Sequence, residues 1–265
     1  MKEILTPVDP VLPVAPYLGG KRNLASRVIS RLRDIPHSAY VEPFCGMGGI
    51  FLRRPFSVEC EVINDLNRDV ANLFRILQRH YVPLMDAMRW QLTTRADFER
   101  LTQTDAESLT DIERAARFLY LQRTAFGGKV SGRNFGVSIR RARFDIQQLG
   151  GMLGDVHSRL IRVVIECLPW QEVVRRYDRP ETLFYLDPPY WGCENDYAAP
   201  FTRDQFEELS RTLSEIKGRF VLSLNDRPEV RETFSRFDIE AVNVGYSVSR
   251  SASGRGHRGE VLISN

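Results

Sequence analysis

The sequence predicts an open α/β sheet with helices on both faces, interrupted once by a mostly helical insertion. Three observations carry this expectation. Short apolar runs alternate with helix-period segments from about residue 20 to residue 79, the alternation stops from about residue 80 to residue 159, and it resumes from residue 160 to the end. A chain of 265 residues is enzyme-sized, so the expected division is one sheet-bearing domain, 1–79 with 160–265, and one insertion, 80–159.

In chain order, LGGKRNLASRVISRLRDI opens on a glycine turn and continues with Leu24, Val28 and Leu32 at helical spacing. AYVEPF reads as a short strand, CGMGG as a turn where backbone passes close to a neighbour, and IFLRR as the start of a helix. VECEVIND is a second strand ending at Asn64 and Asp65, followed by an amphipathic helix bearing Val70, Leu73, Phe74 and Leu77. Within the insertion, the helical DIERAARFLYLQRTAF precedes an irregular basic stretch, GGKVSGRNFGVSIRRARF. Strands then return at RLIRVVIECL, TLFYLDPPY, RFVLSLND and IEAVNV, with helices at TRDQFEELSRTLSEI and PEVRETFSRF, and the chain closes on GEVLISN.

Composition narrows the classes. Hydrophobic residues at 43% and charged residues at 27% are globular values, and 18 Gly with 14 Pro exclude a collagen-like or low-complexity chain. No apolar stretch approaches the ~20 residues of a membrane span, and the opening MKEILTPVDPVLP has prolines and acids where a signal peptide is apolar. The expectation is a soluble, cytoplasmic protein without a membrane partner. Cys45, Cys60, Cys167 and Cys193 form no CxxC or Cys/His pairing, so neither a metal site nor a disulfide framework is expected. The net charge is only +3, but from Arg114 to Phe144 there are eight basic residues (Arg114, Arg117, Arg123, Lys129, Arg133, Arg140, Arg141, Arg143) and no acid. A basic block within a slightly acidic remainder suits phosphate neutralisation on a nucleic acid; a solvated face is the plain alternative.

Two strand ends carry chemistry. The loop Phe44-Cys45-Gly46-Met47-Gly48-Gly49 follows the first strand, where ligands bind in open α/β sheets, and Asp65 ends the next, where a carboxylate can accept from a ribose. Loop and acid together suit an adenosine-bearing cofactor, NAD included, although the strict GxGxxG of dinucleotide sites is absent and the chain reads GMGGIF. Asp187-Pro188-Pro189-Tyr190 follows the apolar strand LFYL. There a carboxylate, a turn stiffened by two prolines and an aromatic ring project together from one sheet edge. An acceptor for an exocyclic amine beside a flat ring is what methylation of a flipped base requires.

With these motifs in order, PYLGGK, YVEPFCGMGG, INDLNRDV, FYLDPPY and GEVLISN, the chain resembles D12-class, Dam-like DNA adenine-N6 methyltransferases over most of residues 16 to 265. The resemblance implies a Rossmann-like S-adenosylmethionine-dependent methyltransferase sheet, with 80–159 as the target-recognition insertion, acting on double-stranded DNA without an obligate protein partner. It implies that Tyr17, Lys21, Asp65 and Asp187 bind S-adenosylmethionine and that the loop from Glu42 through Pro43, Phe44, Gly46 and Gly48 wraps its methionine part. Asp187 with Pro188 and Pro189 would orient the amine, Tyr190 would stack on the adenine, and Tyr197 or Phe201 would help clamp it. RTAFGGKVSGRNFGVSI resembles a reduced form of the family's recognition segment, and with the rest of the basic block it points to DNA contacts by Arg123, Lys129, Arg133, Arg140, Arg141 and Arg143. An interleaved Phe can pack under the loop or intercalate, and Phe126 is expected to pack. A second basic segment holding Arg250, Arg255 and Arg258 is expected as a hairpin loop on the same DNA face.

Departures shape the expectation. The family's Asp-aromatic pair before DPPY is replaced by Pro169-Trp170, so Trp170 stands in for the missing contact, and Tyr17 stands where Trp is common. The family's FNG asparagine is absent from the reader, which points away from an assumed GATC target and toward relaxed specificity. A compact lone modification enzyme of phage or prophage type fits the length. An RNA or protein-amide methyltransferase and a non-enzymatic DNA-binding relative are the other readings these residues leave open.

Overall fold

The computed structural model describes residues 5–17, 19–130, 132–137, 144–192, 201–244 and 258–265. Within them, β1 (Thr6–Pro7) and β3 (Phe56–Ser57) form a small antiparallel ribbon. The other strands are β2 (Ala39–Glu42), β4 (Cys60–Asn64), β5 (Val164–Glu166), β6 (Thr182–Leu186), β7 (Arg219–Asn225), β8 (Asp238–Val244) and β9 (Arg258–Ser264). They join one sheet in the order β5-β4-β2-β6-β7-β9-β8, parallel except for β9, which runs antiparallel between β7 and β8. The mostly parallel α/β sheet agrees with the fold class read from the sequence.

The order decides where a ligand sits. From β2 the chain builds outward through β4 to β5, then returns to lay β6 on the other side of β2. Crevices at the carboxyl ends of strands open at such a switch point. Here they bring together the loops after β2, β4 and β6.

Both faces are covered. Alternate side chains of β6 enter different clusters, Leu183 and Tyr185 on one face and Phe184 and Leu186 on the other, the period-2 consequence of a pleated strand. The first face carries α1 (Ala25–Asp34), α2 (Arg68–Arg79), α3 (Tyr81–Met88), α4 (Arg95–Gln103), α5 (Asp111–Thr124) and α6 (Ile146–Leu160); the second carries α7 (Trp170–Tyr177), α8 (Arg203–Glu215) and α9 (Pro228–Thr233). Helix starts are capped as the sequence allows: Asn67 accepts from the Asp69 N–H, and Thr110 with Glu113 closes a reciprocal capping box on α5.

One expectation changes. IFLRR forms hydrogen-bonded turns rather than a helix, because Pro55 follows one turn later and β3 begins at Phe56. The helices between residues 80 and 159 pack onto those that cover the sheet. Leu84, Phe98, Phe118 and Leu149 share one apolar cluster with Val28 and Leu73 of the sheet-covering helices. β8 and β9 pair antiparallel, and the basic segment between them, expected as a hairpin loop, lies outside the described residues.

Candidate active site

The loops after β2, β4 and β6 enclose a cavity of about 870 Å³. Of the residues expected to bind the cofactor or act in catalysis, Tyr17, Lys21, Glu42, Pro43, Phe44, Gly46, Asp65, Asp187, Pro188, Pro189 and Tyr190 line it. Gly48 does not. Its φ of +71° shapes the turn, and a Cβ there would meet Leu52 at 2.9 Å, so its role is packing beneath the loop.

Glu42 ends β2 and is buried. The Tyr40 hydroxyl donates to its Oε2 at 2.7 Å, yet burial dominates and pushes the carboxyl up to about 8. Behind Tyr40 lies a buried ion cluster that sequence reasoning did not find. The Arg54 guanidinium sits 3.6 Å from the Tyr40 ring centroid and pairs with Glu61, which also takes two bonds from Arg159 at 2.6 and 2.9 Å. Arginine in "LRRPF" gives no sequence signal for burial; only the packing of Tyr40, Phe51 and Phe56 around it does so.

Gly46 adopts φ +51°, and a Cβ there would come within 3.0 Å of the Tyr17 ring. A glycine at this position lets the PYLGGK segment close over the loop. Asp65 ties the same loop to β4. Its Oδ2 accepts the Gly46 N–H and its Oδ1 the Asn67 N–H, each at 2.8 Å, and burial raises its carboxyl to about 6. Next to it, the Asn64 amide donates to the carbonyls of Pro43 at 2.8 Å and Leu168 at 3.0 Å and accepts the Leu168 N–H. Asn64 therefore spaces the glycine loop from the segment before α7, a role its place at a strand end signals only weakly. Trp170, the first residue of α7, is buried in the cavity wall.

At the far wall, the Lys21 ammonium pairs with Asp187 Oδ1 at 2.6 Å, donates to the Tyr190 hydroxyl at 2.7 Å and stands 4.2 Å from that ring's centroid. Burial raises the Asp187 carboxyl, and Lys21 and a hydrogen bond from Ser223 oppose that shift. Phe201 packs edge-on against Phe44 at 5.8 Å and also lines the cavity. Tyr197 lies outside the described residues.

Within the basic block, four guanidiniums have partners inside the fold. Arg123 donates to the Val14 carbonyl at 2.6 Å, and Arg133 reaches Gln122 Oε1 at 3.3 Å and lies over Phe118, with burial lowering it to about 10. Arg114 pairs with Asp69 and Glu107, and Arg117 donates to the Leu101 carbonyl. These guanidiniums brace the base of the segment, because long arginine stems pack on the helices while carbonyls and carboxylates satisfy the heads. Lys129 is exposed, and Phe126, expected to pack, is 60% exposed. A φ of +71° at Gly127 turns the chain there, and Gly128 packs so tightly on Pro16 and Tyr17 that a Cβ would meet their backbone at 3.0–3.2 Å. Arg140, Arg141, Arg143, Arg250 and Arg255 lie outside the described residues, as does the side chain of Arg258.

A glycine loop, an acid one strand over and the tetrapeptide Asp187-Pro188-Pro189-Tyr190 across the switch point thus line one cavity. The profile of the D12 class N6 adenine-specific DNA methyltransferases matches residues 17–248. The chain belongs to this family. Its reaction is methylation of adenine N6 in DNA, with a methyl-donor cofactor. It is 26% identical over 275 residues to the DNA adenine methylase of Vibrio cholerae serotype O1, covering 93% of each chain. It is 24% identical over 280 residues to a Type II methyltransferase of Lactococcus lactis subsp. cremoris, covering 96% of this chain and 95% of that one. With the DNA N-6-adenine-methyltransferase of Escherichia phage P1 it shares 26% identity over 270 residues, 93% of this chain and 34% of the phage protein. Among the described residues, no helix is long and apolar enough to cross a membrane, and no cluster of His, Cys, Asp and Glu is arranged to hold a metal.

Proposed function

We propose that the methyl donor is S-adenosylmethionine, held in the cavity between PYLGGK and the glycine loop, and that the substrate is double-stranded DNA from which the target adenine is turned out. The observation that carries this reading is the convergence of Asp187, Lys21 and Tyr190 on one wall, facing the glycine loop. The chemistry of the lining fits the cofactor. Buried Glu42 and half-buried Asp65 are carboxylates able to meet its cationic and ribose groups, and Trp170 offers a flat wall for its adenine.

When bound, S-adenosylmethionine supplies an electrophilic methyl group on a sulfonium sulfur. The chain's own residues do the rest. Asp187 and the Pro188 carbonyl accept the two N–H bonds of the target amine, which turns its lone pair toward the methyl carbon. Tyr190 and Phe201 hold the base plane, and the apolar wall of Phe44 excludes water. Holding two reactants in line lowers the barrier by roughly 7 to 11 kcal/mol, so no covalent nucleophile is required. Turning out the base costs a few kcal/mol, and stacking worth about 1 to 3 kcal/mol partly offsets it.

On the DNA side, the exposed Phe126 and Lys129 form the tip of the recognition segment, with Phe126 offering a ring to the base stack and Lys129 a charge to phosphate. Arg140, Arg141, Arg143 and Arg255 extend that contact, while Arg123 and Arg133 act by bracing it. The test is incubation with S-adenosylmethionine and unmethylated duplex DNA, followed by digestion to nucleosides. N6-methyladenine without N4-methylcytosine is expected, lost in Asp187→Ala. Methylation of RNA alone, or turnover surviving in Asp187→Ala, would overturn the reading.

A further inference from the structure

Asp187 uses its two oxygens unequally. Lys21 at 2.6 Å and the Ser223 hydroxyl at 3.0 Å both reach Oδ1, and among the described residues no hydrogen bond reaches Oδ2. Asp187 lines the cavity with 19% of its side chain accessible, whereas Lys21 is 3% accessible. Oδ2 is therefore the open acceptor.

The hydrogen-bond inventory sets the direction of the chain behind it. A serine hydroxyl has one proton, and that proton goes to Asp187, so the Tyr185 hydroxyl, 2.9 Å from Ser223 Oγ, donates to Ser223. Both residues are fully buried, so neither donor is diluted by solvent. Ser223 lies on β7, and Asn225, two residues along on the same face, accepts the Trp191 N–H at 3.0 Å and donates to the Trp191 carbonyl at 2.9 Å. One strand face thus grips the acid that opens the DPPY turn and the backbone just beyond it.

We infer that Ser223, backed by Tyr185, is a positioning residue that pins Asp187 Oδ1 and so reserves Oδ2 for the target amine. The inference rests on Asp187 being the amine's acceptor. The same bond also stabilises the ionised carboxylate. Around Asp187, Lys21 favours the charged form and Glu260 from β9 opposes it; Tyr185, Tyr190 and the β2 carboxyl Glu42 complete the ionisable surroundings.

The experiment measures kcat across pH and cofactor affinity by direct binding for wild type, Ser223→Ala, Ser223→Thr, Tyr185→Phe and Asp187→Ala. Losing a hydrogen bond to a charged group should lower kcat of Ser223→Ala on the order of 10-fold or more. Cofactor affinity should stay within about 2-fold, the acid limb of kcat should move to higher pH, and Ser223→Thr should recover most of the loss. Tyr185→Phe should move the acid limb the same way by less, and it carries the test if Ser223→Ala fails to fold. An unchanged acid limb in both variants, or a loss matched by equal weakening of cofactor binding, would overturn the inference. Turnover persisting in Asp187→Ala would instead overturn the role of Asp187 and the inference with it.

Discussion

Glu42 illustrates how far one buried carboxyl departs from its solution behaviour. Its carboxyl is pushed up to about 8 by burial, so the folded protein binds a proton there that the unfolded chain has released by neutral pH. Stability contributed at this site therefore falls as pH rises from the ordinary carboxylate range through about 8. Glu42→Gln should stabilise the cofactor-free protein, more at pH near 9 than near 6, as read by thermal melting at the two pH values. The same charge should matter to the donor. Binding of the cationic cofactor should tighten as pH rises toward 8 in the wild type and lose that dependence in Glu42→Gln, by titration calorimetry. At Tyr190 the expectation is gentler: Tyr190→Ala removes stacking but not the amine acceptor, so turnover should drop by about 10- to 100-fold without vanishing in a nucleoside assay.

Helix α5 does more than carry a recognition segment. Its Gln122 is fully buried and donates to the Pro16 carbonyl at 2.8 Å and the Gly128 carbonyl at 2.6 Å, while Arg123 holds the Val14 carbonyl. One helix end thus fastens the glycine-rich turn after α5 to the segment carrying Tyr17 and Lys21. Gln122→Leu would strand two buried carbonyls at about 1–3 kcal/mol each. It should lower the melting temperature and raise the KM for the methyl donor, which steady-state kinetics on unmethylated DNA would measure. At the glycine loop, Gly46→Ala forces a side chain into the left-handed region, at ~1–2 kcal/mol, and against the Tyr17 ring. Cofactor affinity should fall in Gly46→Ala and recover in part when Tyr17→Ala opens the space, a double-mutant comparison by direct binding.

Across the whole molecule, the basic block that reads as one feature in the sequence divides into two kinds of charge. Arg114, Arg123 and Arg133 hold partners within the fold, whereas Lys129 is exposed at the segment's tip. Lys129→Ala should weaken DNA binding and reduce the slope of log affinity against log salt by about 1, with melting unchanged. Arg114→Ala should leave that slope alone and lower the melting temperature, because it leaves the half-buried Asp69 without its cation, while Glu107 keeps Arg68. Fluorescence anisotropy over a salt series with a thermal melt of each variant separates the two.

Local pattern determined much of this protein. The apolar runs LFYL and RFVLSL marked strands, and the order of PYLGGK, YVEPFCGMGG and DPPY carried the family and a large part of the cavity lining. These features depend on neighbours a few residues apart, which a sequence displays directly. Only the tertiary structure decided the rest: that Arg54 is buried on Tyr40, that Arg123 and Arg133 turn inward while Phe126 turns out, that IFLRR is not a helix, and that Ser223 reaches Asp187. In each case the partner lies on another element or the choice is made by packing. An arginine, a serine or a phenylalanine has the same local signature whether it meets a carboxylate across the sheet or water.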